Sequence, residues 1–103
     1  MSGVKFDQEK PRYELLDPAA IDMLARVLTF GAAKYAAHNW RGGLGWARLS
    51  AAAMRHLFAF VRGEDNDPES GLPHVAHAMC CCMFILGLAH RADCDDRHKE
   101  SRK

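Results

Sequence analysis

No stretch of this chain alternates apolar and polar residues in the two-residue rhythm of a half-buried strand. Its apolar residues recur at three and four instead. Ile21, Leu24, Ala25, Leu28 and Ala32 follow one helical stripe, and Leu49, Ala53, Leu57, Phe60 and Val61 follow a second. Punctuation residues frame the stripes. Asp17 can cap orphan N–H groups, and Pro18 suits a first helical position whose N–H lacks a partner anyway. Gly63 is a natural stop, and Pro73 opens a third helix. The spacing predicts a helix from 18 that is interrupted or ended at Gly31, with 31–39 as separate short helical turns. A second helix spans about 47–62 and a third runs from 73 to about 89 or 91. Between them, NWRGGLGW at 39–46 has three glycines and reads as a loop. The expected fold class is all-α: a compact helical bundle of three main helices plus short helical pieces.

A chain of 103 residues is one domain, expected to occupy 1–92. The arm 1–16 should be irregular, because Lys10 precedes a proline and is pushed toward extended geometry. The tail 93–103 is charged, lacks apolar residues to bury, and should be frayed or disordered. A domain this small buries roughly 60–70% of its unfolded surface, so a homo-oligomer would add burial.

Lys and Arg number 14 and Asp and Glu 13, giving a net charge of +1. That balance argues against a dedicated nucleic-acid partner, which would show a basic face. The first residues lack the apolar run of a signal peptide. The longest apolar run, 75–89, is interrupted by His77 and is too short to span a bilayer. The expectation is a cytoplasmic protein with no membrane contact and no disulfides. Cys80, Cys81 and Cys82 project about 100° apart on a helix and cannot converge on one metal. They read as small buried apolar residues.

The segment GEDNDPESGLPHVAH, residues 63–77, concentrates metal-binding chemistry. His74 and His77 are three apart and share a helix face. The short connection makes the second and third helices antiparallel. His56 then comes level with His77, and Glu64 and Asp65 with His74, while Asp67 and Glu69 sit on the connecting loop. Imidazoles and carboxylates between two helices are a familiar metal-binding arrangement. Each residue alone has a plainer reading, as a hydrogen-bonded core histidine or as acid near a helix N-terminus. Carboxylates suit Mg2+ or Mn2+, and imidazoles raise the case for Mn2+, Zn2+ or Ni2+.

Cations form a second group. Lys10 and Arg12 flank a stiffening proline, Lys34 and Arg41 flank YAAHNW, and Arg55 and Arg62 lie on the second helix. Arg forks and Lys point charges are the usual phosphate partners. In the third group, Tyr35, His38, Asn39, Trp40 and Trp46, an aromatic ring could stack on a base and Asn could read a base edge. Packing of a tryptophan under the glycine-rich loop is an equally good account. No Gly-x-Ser-x-Gly context and no P-loop is present.

Together KFDQEKPRYELL, LARVLTFGAAKYAAHNWRGG and RHLFAFVRGEDNDPESGLPHVAHAM resemble the phage dATP/dGTP diphosphohydrolase family over about residues 4–90. That family includes the MazZ-type enzymes and implies kinship with MazG-like all-α pyrophosphohydrolases. The resemblance implies hydrolysis of purine deoxynucleoside triphosphates to the monophosphate and pyrophosphate, with Mg2+ or Mn2+, by a homo-oligomer in the host cytoplasm. The sequence departs from MazG in one respect: His74-x-x-His77 stands where Glu-x-x-Asp would be looked for. The site expected on this basis has Glu64 or Asp65 as proton acceptor. The metal is held by a subset of His56, Glu64, Asp67, Glu69, His74 and His77. Lys10, Arg12, Lys34 and Arg55 take the phosphates, and Asn39 and Trp40 hold the base. Two other classes use the same residues: a nucleotide-sequestering protein that does not cleave, and a helical interaction module.

Overall fold

The computed structural model describes residues 9–99. The expectations for 1–8 and 100–103 lie outside the described residues. Three α-helices form the fold: α1 (Pro18–Lys34), α2 (Trp46–Val61) and α3 (His74–Gly87). Short 3-10 turns occupy Tyr13–Leu15, Asn39–Gly42 and Ala92–Cys94. The described residues contain no strand, only an isolated bridge between Asn66 and Pro73. The all-α expectation holds.

The start of α1 follows its sequence signal. Asp17 is the N-cap, and its carboxylate accepts the Ala20 N–H at 3.1 Å. The expected break at Gly31 does not occur: α1 runs through it to Lys34, and the Tyr35 N–H closes the last turn on the Gly31 carbonyl at 2.8 Å. A helix-interior glycine costs only about 1 kcal/mol, and Ala32 and Ala33 beside it are strong helix formers. No separate helix follows at 31–39, and a 3-10 turn starts at Asn39 instead.

α3 is the central element, packed against α1 on one side and more extensively against α2 on the other. Val27 of α1 meets Ala76 and Cys80 of α3, with Met23, Leu24, Leu28, Leu72 and Phe84 around them. Leu49 of α2 meets Leu88 and Cys94, with Trp40, Leu44, Trp46, Phe84 and Ile85 around them. Phe84 therefore joins both clusters. Its ring stacks on Trp40 with centroids 4.9 Å apart. Gly87 makes room for that tryptophan, since a Cβ there would fall 2.6 Å from its ring. Of the three adjacent cysteines only Cys80 is buried, and burial pushes its thiol up to about 12. Cys82 is exposed, which corrects the reading of all three as buried; neighbours 100° apart on a helix cannot all face one core.

Two further expectations change. Leu49 and Ala53 are buried as foreseen, but Leu57, Phe60 and Val61 are exposed. α2 is apolar on more of its circumference than this single chain covers. The tail also departs from the frayed expectation over 93–96. Cys94 is buried in the second cluster, and the Asp96 carboxylate accepts the Ala47 N–H at 2.6 Å. Gly45 offers α2 no side-chain cap, so a distant carboxylate supplies the acceptor that a helix N-terminus needs.

Leu88 is 2% exposed and ties α3, α2 and the tail together. Leu88→Ala is expected to lower stability by roughly 2–5 kcal/mol in urea unfolding. A loss below about 1 kcal/mol would show that this cluster collapses onto the cavity without the leucine.

Candidate functional site

The site is built where α2 turns back into α3. α2 ends in a glycine stop: Gly63 takes φ +105° and donates to the Phe60 carbonyl at 2.9 Å, and Glu64 N–H reaches the Ala59 carbonyl at 3.0 Å. This paired pattern is the Schellman motif, and it returns Glu64 over the end of α2. The connecting loop is closed by its own hydrogen bonds. Asp67 N–H donates to the Leu72 carbonyl at 2.8 Å, Gly71 N–H to the Asp67 carbonyl at 2.7 Å, and His74 N–H to the Asp65 carbonyl at 2.9 Å. Gly71 takes φ +73°, in the left-handed region that glycine enters without strain. The Asp67 carboxylate accepts the N–H groups of Glu69 and Ser70 at 3.1 and 3.0 Å. That Asx-type turn fixes where its second oxygen is available.

Three imidazoles meet inside this frame. His74 is 4% exposed, and its Nδ1 lies 2.8 Å from His56 Nδ1. Its Nε2 lies 2.7 Å from Glu64 Oε1. His77 stacks on His56, with centroids 4.6 Å apart and planes 12° apart, and its Nε2 meets the Ser70 hydroxyl at 2.7 Å. Ligand atoms of His56, Asp67 and His74 all lie within 4.8 Å of one another.

Electrostatics favours neutral imidazoles. Desolvation, then the nearby His77 and His74, lowers the His56 pKa. Desolvation also leads the lowering at His77, with Asp67 pulling the other way. For Asp67, desolvation raises the carboxyl, but the Ser70 hydrogen bonds and the charges of His77 and His56 outweigh it and leave it lowered. Neutral imidazole and ionised carboxylate are the forms that bind metals.

The donor set fits a divalent ion. A first-row ion held at about 2.0–2.1 Å sets two cis nitrogens about 3 Å apart, close to the 2.8 Å between the two Nδ1 atoms. Two imidazoles and one carboxylate suit a transition ion better than Mg2+, which prefers oxygen.

The remaining candidates separate. Glu69 pairs with the Lys34 ammonium of α1 at 2.5 Å and is not among the residues whose ligand atoms converge. Asp65 contributes its carbonyl, and its exposed carboxylate has no hydrogen-bond partner among the described residues. Arg55, next to His56, is exposed and has no ion-pair partner among the described residues, and its charge helps lower the His56 pKa. Lys10 is exposed and Arg12 bonds Glu14 at 2.7 Å; no polar contact links either to the histidines. Asn39 and Trp40 sit elsewhere. Trp40 lies over Phe84 and Gly87 at the far end of α3, with Arg41 across its ring at 4.5 Å. Ten to thirteen helical residues separate that end from His74, about 15–20 Å at 1.5 Å each. Within one chain Trp40 is a packing residue, because the gap at Gly87 accepts its ring.

Ser70 escaped the sequence reading. Its signal was the Asp-x-x-Ser spacing from Asp67, a turn in which the aspartate binds the serine N–H and leaves the hydroxyl free to act.

The arrangement defines a class: a helical hairpin domain with a histidine–carboxylate cluster at the turn whose donors could hold a metal ion. Comparison with known sequences then places it, since residues 1–97 match the profile of the dATP/dGTP diphosphohydrolase N-terminal family. The chain belongs to that family. It is similar to a dATP/dGTP diphosphohydrolase of Salmonella phage PMBT28, at 44% identity over 98 residues that cover 94% of this chain and 33% of the phage protein. The chain thus spans about one third of the length of the curated relative it matches. No solved structure matches it. No helix among the described residues is long and apolar enough to cross a membrane.

Asp67 has two separable duties. Asp67→Asn keeps an oxygen for the turn N–H groups and is expected to stay within about 0.5 kcal/mol of the parent, while Asp67→Ala should lose roughly 1–2 kcal/mol in urea unfolding. Equal losses in both would show that the turn does not depend on that acceptor.

Proposed function

We propose that this chain hydrolyses purine deoxynucleoside triphosphates, dATP and dGTP, to the monophosphate and pyrophosphate. The observation that carries the reading is the 44% identity to a phage protein named for that activity. The meeting of His56, Asp67 and His74 at one point supports it from the chemical side. In this reading His56, His74 and Asp67 hold a divalent ion, with Mn2+ or another imidazole-binding ion favoured over Mg2+. Bound there, the ion supplies Lewis-acid stabilisation of the phosphoryl oxygens.

The chain's own groups do the rest. Asp65, exposed and without a hydrogen-bond partner among the described residues, accepts a proton from the water that attacks the α-phosphorus. The bond between the α-phosphorus and its bridging oxygen breaks, and pyrophosphate leaves with the electron pair. Glu64 is the poorer base, because His74 already occupies it. Arg55 neutralises phosphate charge beside the histidines, and Lys10 and Arg12 add to it from the arm. Lys34 acts through Glu69, with which it pairs. The nucleotide pool locates this work in the host cytoplasm.

A homo-oligomer completes the domain in this reading. Met54, Leu57, Phe58 and Val61 recur at helical spacing on α2 and are all exposed, Val61 by 78%. A helix apolar on this much of its surface is normally covered, and a second copy of α2 covers it symmetrically. Phe58→Glu is expected to reduce the sedimentation coefficient to that of a monomer. An unchanged coefficient assigns the stripe to no self-contact.

The activity test is direct. Purified protein with Mn2+ or Mg2+ is expected to convert dGTP and dATP to dGMP, dAMP and pyrophosphate. Asp65→Asn should lower kcat by about 100-fold or more, and His74→Ala should abolish metal-dependent turnover. Nucleotide bound tightly but recovered intact would overturn hydrolysis in favour of a sequestering protein.

A further inference from the structure

Glu64 is outside the three residues whose ligand atoms converge, yet it bonds one of them, His74, at the ring nitrogen that does not face His56. His74 is buried, so neither ring nitrogen can rely on water, and each has one partner. At Nε2 that partner is a carboxylate oxygen, 2.7 Å away. An ionised carboxylate only accepts, so His74 Nε2 must carry the proton. In a neutral imidazole the other nitrogen is then bare. His74 Nδ1 therefore presents its lone pair toward His56 and Asp67. Across the 2.8 Å gap, His56 Nδ1 donates to it when no ion is present.

We propose that Glu64 is a positioning residue that fixes His74 in its Nε2–H form and so makes His74 Nδ1 a metal ligand. This assignment rests on the metal centre described under the proposed function and deepens it. It moves Glu64 from the expected roles of ligand and proton acceptor to a carboxylate behind the ligand. A carboxylate in that place orients the ring and raises the basicity of the nitrogen that binds the ion. The loop explains why the contact is dependable. The Schellman bond from Glu64 N–H to Ala59 and the bond from His74 N–H to Asp65 hold both backbones in place, so only the side chains need to meet. His77 shows the contrast. Its Nε2 faces Ser70, whose oxygen also accepts the Leu72 N–H at 3.1 Å. A hydroxyl can donate or accept, so Ser70 imposes no tautomer on His77, whereas the Glu64 carboxylate, which can only accept, imposes one on His74.

The test needs no substrate. Long-range proton–nitrogen NMR of the metal-free protein, at mildly alkaline pH, is expected to show His74 protonated on Nε2. Titration with Zn2+ alone should shift the His74 Nδ1 resonance. By isothermal titration with Zn2+, Glu64→Ala should bind about 10- to 100-fold more weakly than the parent. Glu64→Gln keeps an acceptor oxygen without the charge and should fall between the two, and it decides the matter if the alanine variant does not fold. His74 protonated on Nδ1 in the parent, or equal Zn2+ affinity of Glu64→Gln and the parent, overturns the assignment. Because nucleotide is absent throughout, protein that binds Zn2+ as expected but leaves dGTP intact overturns the hydrolase reading while this assignment stands.

Discussion

The burial of His74 is the constraint on which the junction of α2, the loop and α3 depends. A buried imidazole with an unmet nitrogen costs free energy of the order of a lost hydrogen bond or more. Here both nitrogens and the backbone N–H are met, and the partners come from different places. His56 is on α2, Glu64 follows the end of α2, and Asp65 supplies its carbonyl from the loop. Satisfying one residue thus fixes the end of α2, the loop and the start of α3 relative to one another. Had α3 begun one residue later, the imidazole would have turned about 100° away from all of them.

The rest of the hairpin supports that junction. Small residues are buried on both helices, Ala53 on α2 and Ala76, Ala78 and Cys80 on α3, with Ala76 and Cys80 turned to Val27 of α1. Far from the histidines, Leu49, Leu88 and Cys94 close the other end, and Asp96 caps the start of α2. The two ends divide the work. One is packed by aromatic and aliphatic side chains, and the other is polar and internally bonded, with its exposed acids and Arg55 on the outside. This division explains why Trp40 is absent from the cluster. Its ring fills the notch at Gly87 in the packed end.

Much of the local structure was legible. Asp17-Pro18, Gly63 and the 3.6-residue stripes placed the three helix starts and the end of α2 within a residue, because capping and glycine conformations are local physics. The antiparallel hairpin followed from a loop too short for any other route, and with it the meeting of His56, His74 and Glu64. Gly31 misled because a single glycine weakens a helix without ending it. The tail misled because its composition is that of a frayed end, while one cysteine and one aspartate in it find long-range partners. Glu69 misled because its partner, Lys34, lies 35 residues away in sequence.

The sequence by itself determined that the chain would be helical, where its helices would begin, and that histidines and acids would gather at one turn. Those properties follow from spacing and from residues that act on their own backbone. Only the tertiary structure decided which acid does what. Glu64 stands behind His74, Asp67 binds its turn and faces the histidines, Asp65 stays free, and Glu69 goes to Lys34. A carboxylate's role is set by which donors lie within about 3 Å of it, and that distance is fixed only when three separate segments have packed together.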